Sequence, residues 1–199
     1  MITIGLCGSI AAGKSEVSKL LAALGATVVD ADRVAHESYA PGTDGIAQLV
    51  DAFGDGIVGE DGAVDRRKLG AAVFGDSEKL ARLSGIVWPL TRRRVEELKA
   101  EALANGASVF VIEAPLLVEA GWLDLVDQVW FVRTDPDVAL QRLLSRGHTE
   151  AEARSRLAAR PGIQQAEAAA QVIIDNSGSL EILQERVNQL WNLLHNEAR

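Results

Sequence analysis

The chain has 199 residues, 48% of them hydrophobic and 24% charged, with a formal net charge of −8. That length suits one core-bearing α/β domain with insertions and excludes two large domains, and the composition excludes a disordered chain. The acidic balance argues against a nucleic-acid partner, which demands a basic surface, so an anionic ligand must meet arginines and lysines concentrated locally.

The chain enters an apolar run at once, Ile2-Thr3-Ile4-Gly5-Leu6-Cys7, which reads as a buried strand. No basic region followed by a cleavable apolar segment precedes it, and no run is long enough to span a bilayer. The lone Cys7 cannot form an internal disulfide and reads as a small buried strand residue. A cytoplasmic protein with no membrane partner is therefore expected.

Gly8-Ser9-Ile10-Ala11-Ala12-Gly13-Lys14-Ser15 fits the P-loop spacing G-x-x-x-x-G-K-[ST]. A helix follows over Glu16–Leu24, with Val17, Leu20, Leu21 and Leu24 on one face and Gly25 closing it. A strand, this loop and a helix in succession is the context that the motif requires. A phosphate chain needs many donors at short range, and loop N–H groups with the positive end of a helix supply them. Lys14 would reach the β and γ phosphates, and the Ser15 hydroxyl would take one position on Mg²⁺.

Thr27–Asp30 reads as a second strand running into Ala31-Asp32-Arg33-Val34-Ala35-His36. Ligands of open parallel sheets sit beyond the carboxyl ends of strands, where Asp30 and Asp32 fall. Asp30 either caps the next helix or faces the ligand. Asp32 is assigned to chemistry, as acceptor of a hydroxyl proton and metal-side carboxylate. His36 is expected to be a solvated helix histidine.

The segment 41–105 is too long for a simple strand connection and reads as a helical insertion that binds the acceptor. Within it, Ile46, Leu49, Val50 and Phe53 mark a helix, and a glycine-rich hairpin-like stretch runs from Phe53 to Asp65. Asp76-Ser77-Glu78 opens another helix, which Trp88-Pro89 should end before a further one carrying Arg92-Arg93-Arg94. That triplet either grips a phosphate of the acceptor or is a solvated basic face.

Ser108–Glu113 reads as a buried central strand, with Glu113 in the place of a Walker-B carboxylate, and Ala114–Glu119 as a turn into a short helix. Val129–Val132 is the fourth strand, and Asp135-Pro136 opens a helix reaching Arg146-Gly147. The next helix starts at His148 and ends near Arg160-Pro161-Gly162. Arg142, Arg146, Arg154, Arg156 and Arg160 crowd this stretch, and residues 142–165 are expected to form a lid that stabilises transferred charge and excludes water. Some of these arginines could instead pair with Glu150, Glu152 or Glu167; Arg142 and Arg146 are assigned to catalysis. Val172–Asn176 is the fifth strand, with Asn176 near the expected adenine site, and an amphipathic helix closes the chain. The expected architecture is a single three-layer α/β domain, 1–199, on a five-stranded parallel sheet.

Taken in order, these pieces resemble the dephospho-CoA kinases, P-loop kinases that phosphorylate the ribose 3′-hydroxyl of dephospho-coenzyme A with ATP. The specific matches are Val28-Val29-Asp30-Ala31-Asp32, Pro41-Gly42-Thr43, Asp61–Arg66, Pro115-Leu116-Leu117-Val118-Glu119 and Ile174–Ser179. The resemblance implies ATP and Mg²⁺ on Ala11, Ala12, Gly13, Lys14, Ser15 and Glu16, with Asn176 beside the base. It implies Lys14, Asp32, Arg142 and Arg146 in catalysis, Ser15 and Asp32 on the metal, and a monomer or weak oligomer with dephospho-CoA as acceptor. The family usually has glycine in place of Ser9 and Ala11, histidine in place of Trp88, glutamine in place of Arg160 and an acid in place of Gln171. Alanine at position 11 means either an ordinary backbone there or a strained loop. A nucleoside-monophosphate or shikimate-type kinase, and a nucleotide-binding module without phosphoryl transfer, stand as alternatives.

Overall fold

In the computed structural model, which describes residues 1–158 and 162–197, the apolar run Ile2–Gly8 forms strand β1, buried from Thr3 onward. Along the chain follow α1 (Lys14–Ala23), β2 (Thr27–Asp30), α2 (Ala31–Ser38), α3 (Asp44–Phe53), α4 (Arg66–Val73) and α5 (Ser77–Ala104). Then come β3 (Val109–Glu113), β4 (Gln128–Arg133), α6 (Pro136–Ser145), α7 (Glu150–Ala158), α8 (Ile163–Ala168), β5 (Val172–Asp175) and α9 (Leu180–Glu197). Two compact units result, residues 1–29 with 101–199, and residues 30–100.

The first unit carries a five-stranded sheet in the order β2-β3-β1-β4-β5. β1 pairs parallel with β3 in the register Leu6 to Glu113, and with β4 in the register Gly8 to Val132. The loop after β1 thus leaves the middle of the sheet where the connections reverse direction, the place where such sheets bind ligands. Near-continuous apolar strands make sense because the sheet is covered. One cluster joins Leu6, Val111 and Trp130 of the sheet to Val17 and Leu21 of α1 and to Leu183 and Val187 of α9. Each such buried side chain contributes about 1.5–3 kcal/mol relative to exposure.

Helix starts follow local chemistry. Asp135 accepts from the Asp137 N–H at 2.8 Å, with Pro136 at the first helical position of α6. Thr149 and Glu152 bond each other's backbone N–H groups, a capping box at the start of α7. Gln171, just before β5, accepts with its Oε1 from the Val129 N–H at 2.7 Å. One expectation fails locally and one helix was not expected. Ala114–Glu119 is a series of turns, and the short helix appears only as a 3-10 turn at Trp122–Leu125; α8 gave no periodic signal because it is only six residues long.

In the second unit Leu49, Ile57, Leu69 and Val73 form a core packed by Phe53, Leu83 and Ile86 among others. The hairpin-like stretch reduces to a 3-10 turn at Asp55–Ile57 and a single antiparallel bridge, Val58 to Val64. The expected helix break at Trp88-Pro89 does not occur, and α5 runs through Pro89 for 28 residues. Pro89 removes the N–H that would bond the Gly85 carbonyl, and α5 is held on both sides of it, Ile86 and Val87 packing on this core and Thr91 and Val95 being buried beyond the proline. Thr91 also donates its hydroxyl to the Val87 carbonyl at 2.8 Å. Asp30, Asp65 and Asp76 accept N–H groups at the starts of α2, α4 and α5.

Asp65, Asp76, Glu152 and Asp175 make stability pH-dependent. The N–H of Lys68 holds Asp65 below its ordinary value, that of Lys79 does so for Asp76, that of Thr149 for Glu152, and the Ser177 hydroxyl for Asp175. A folded-state value below the unfolded one gives stability that is present above the unfolded value and lost as pH falls through the folded one. Melting temperature should therefore hold down to about pH 5 and fall steeply toward about pH 3. A flat profile over that interval would show that the caps bind protons equally in both states.

Candidate active site

The loop joining β1 to α1 is shaped by two glycines that no other residue can replace without movement. A Cβ on Gly8 would overlap the Val132 carbonyl, and one on Gly13, at φ 90°, would overlap the Asn176 side-chain amide. Ala11 has φ 57°, the only positive φ of a non-glycine residue among those described. The loop is therefore strained at this point, at a cost of about 1–2 kcal/mol, and the Ala11 methyl is packed with Leu140, Leu143 and Ala153 of α6 and α7.

Lys14 bridges the start of the loop, its ammonium 3.3 Å from the carbonyls of both Gly8 and Ser9. The Glu16 and Val17 N–H groups bond the Gly13 carbonyl, and the helix dipole adds a positive potential at this end of α1. Glu16 sits in the same turn with its carboxylate 3.3 Å from Lys19. Behind the loop, Asn176, 7% exposed, donates its amide to the Ala12 carbonyl at 2.7 Å. Arg142 donates to the carbonyls of Ala11 at 3.2 Å, Ala12 at 3.4 Å and Asn176 at 2.9 Å. These two residues hold the cradle from the back, a role that the sequence did not reveal. Both also line a cavity of ≈ 400 Å³ together with Gly13, Glu16, Arg146 and Leu183.

The Ser9 hydroxyl is buried with no hydrogen-bond partner among the described residues. A buried unsatisfied hydroxyl costs about 1–3 kcal/mol, so Ser9→Ala should raise the melting temperature by about 3 °C, roughly 1 kcal/mol for a domain of this size. A lower melting temperature in the variant would mean that the hydroxyl is bonded in solution.

The Ser15 hydroxyl donates to Glu113 Oε1 at 2.9 Å, and Ser18 donates to Glu113 Oε2 at 2.7 Å. The β1–β3 register sets Glu113 beside Leu6 at the strand ends, within reach of the first turns of α1. Ser15 keeps its oxygen lone pairs after giving its proton to the acid, so it can still coordinate a cation. Among the described residues no three His, Cys, Asp or Glu gather as a metal cage. Mg²⁺ needs none, since one or two protein groups, substrate phosphates and water complete its shell. Ser18 was not anticipated, although its place three residues after Ser15, inside the apolar face of α1, was a readable signal.

In the second unit Asp30 is the N-cap of α2, accepting from Asp32 N–H at 2.9 Å and Arg33 N–H at 3.1 Å, and Asp32 follows in the first turn. His36, one turn on, is partly buried on α2. Its ring meets Tyr39 edge-on at 5.9 Å, and burial first, then the Arg66 charge, lowers its pKa from the ordinary 6.5. Burial likewise raises the Tyr39 phenol. Of the basic triplet, Arg92 pairs with Glu96 at 3.1 Å and Arg94 with Glu97 at 3.0 Å, both on the surface of α5. On α7, Arg154 pairs with Glu150 at 2.8 Å, whereas Glu152 serves the cap. Arg160 lies outside the described residues.

A parallel sheet in this order with a G-x-x-x-x-G-K-S loop between its central strand and first helix has the architecture of the P-loop kinases. The dephospho-CoA kinase family model matches residues 2–181. The dephospho-CoA kinase of Streptomyces avermitilis is 46% identical over 98% of this chain and 95% of its own. That of Geobacter sulfurreducens is 44% identical over 96% of this chain and 98% of its own. A crystal structure of a Thermus thermophilus protein superposes with a TM-score of 0.79 at 31% identity, covering 97% of both chains. The chain belongs to the dephospho-CoA kinase family.

Proposed function

We propose that the protein transfers the γ-phosphoryl of ATP to the ribose 3′-hydroxyl of dephospho-CoA, giving CoA and ADP. The observation that carries this reading is the loop geometry in a chain of this family: glycine-only backbone at Gly8 and Gly13, Lys14 across the loop, and Ser15 held by Glu113. Ala11, Ala12, Gly13, Lys14, Ser15 and Glu16 cradle the phosphates, and Asn176 and Arg142 brace the cradle. The ≈ 400 Å³ cavity beside it takes the nucleoside.

Asp32 accepts the proton of the acceptor hydroxyl as its oxygen attacks the γ phosphorus in line and the bond to ADP breaks. Lys14, with Arg142 and Arg146 of the 142–165 lid, neutralises charge on the transferred group, and the helical segment 41–105 receives the acceptor. Ser15 and Asp32 are the residues that would hold Mg²⁺, which supplies charge neutralisation across the β and γ phosphates when bound. ATP and dephospho-CoA are the expected partners of a cytoplasmic monomer or weak oligomer.

A coupled assay offering dephospho-CoA, AMP and shikimate in turn tests the reading. Turnover with dephospho-CoA at least an order of magnitude above the others is expected. Preference for AMP or shikimate, or tight ATP binding with no product, overturns it.

A further inference from the structure

The Glu113 carboxylate receives two hydroxyls from one helix. Ser15 donates to Oε1 at 2.9 Å and Ser18 to Oε2 at 2.7 Å. Ser18 is 6% exposed and shares the buried face of α1 with Val17 and Leu21. A hydroxyl buried in such a face costs stability unless it is bonded, and an apolar residue would serve packing as well. Here the bond goes to the acid that fixes Ser15.

A serine hydroxyl has one proton and two lone pairs. With its proton on Glu113 Oε1, the Ser15 oxygen must turn its lone pairs away from the acid, which leaves them available to a cation on the nucleotide phosphates. That orientation lasts only while Glu113 keeps its own rotamer. Ser18, bonded to the second oxygen, removes the rotation that would release it.

We propose that Ser18 is a positioning residue that, by anchoring Glu113, fixes the Ser15 hydroxyl and so sets the affinity of the cradle for the divalent metal of the metal–nucleotide complex. This rests on the P-loop reading above, and Ser18 itself touches neither metal nor nucleotide. Residues that orient a metal ligand in this way typically change metal affinity by 10–100-fold when removed.

The test uses Mn²⁺ as the probe, its binding to the protein–ADP complex read by electron paramagnetic resonance of free Mn²⁺. Ser18→Ala should weaken Mn²⁺ binding about tenfold while ADP affinity in EDTA stays within about twofold of wild type. Ser18→Cys, similar in size but a weak donor, should move in the same direction. Ser18→Thr, which keeps the hydroxyl, should restore wild-type behaviour. In steady state, the Mg²⁺ concentration for half-maximal rate rises in Ser18→Ala while kcat at saturating Mg²⁺ stays near wild type.

Wild-type Mn²⁺ affinity in both Ser18→Ala and Ser18→Cys overturns the inference. Equal loss of metal-free ADP binding does so too, because it would mark Ser18 as a packing residue only. Failure of the wild-type protein to phosphorylate dephospho-CoA would instead overturn the proposed reaction, and the Mn²⁺ comparison would still decide the role of Ser18.

Discussion

Lys14→Ala should lower kcat for dephospho-CoA phosphorylation by about 10²–10³-fold, the loss measured when one preorganised donor to developing transition-state charge is removed. The ammonium rests on the Gly8 and Ser9 carbonyls at 3.3 Å, bonds too long to be strong. Moving it onto phosphate oxygens exchanges these two for charge-assisted hydrogen bonds. Because those carbonyl bonds are weak, the melting temperature of the variant should stay within about 3 °C of wild type. Steady-state kinetics with a thermal melt on the same sample checks both halves. A variant that keeps its fold and turns over at the wild-type rate removes Lys14 from the mechanism.

Asp32→Asn should cost about 10²–10⁴-fold in kcat, the range for a lost general base. The neighbouring acid provides the control. Asp30 spends one carboxylate oxygen on the N–H groups of Asp32 and Arg33, and asparagine caps a helix about as well as aspartate. Asp30→Asn should therefore keep both fold and activity near wild type, whereas Asp32→Asn loses activity alone. The reverse pattern would move the base from Asp32 to Asp30. Equal and small effects would leave the reaction without a carboxylate base, driven by positioning and charge neutralisation.

The sheet was readable because its strands are continuous apolar runs bounded by turn residues, so that Thr27–Asp30 was placed without error. The phosphate loop was readable because its residue types are dictated by backbone geometry. Contacts of long sequence separation were not. Nothing local ties Arg142 to the carbonyls of Ala11 and Ala12, or Asn176 to Ala12, yet the parallel register brings them together. The helix through Pro89 escaped because a rule about proline is local, while the packing of Ile86 and Val87 before it and the burial of Val95 after it are tertiary. Ser18 escaped as well, since its spacing from Ser15 puts both on one side of α1 but does not tell that Glu113 lies across from them.

The left-handed alanine in the loop also limits how this lineage can drift. At φ 57° a single methyl is tolerated and already packed against Leu140 and Leu143, whereas a β-branched side chain at that backbone angle is a steric outlier. Position 11 is thus open backward to glycine and closed forward to valine, isoleucine or threonine.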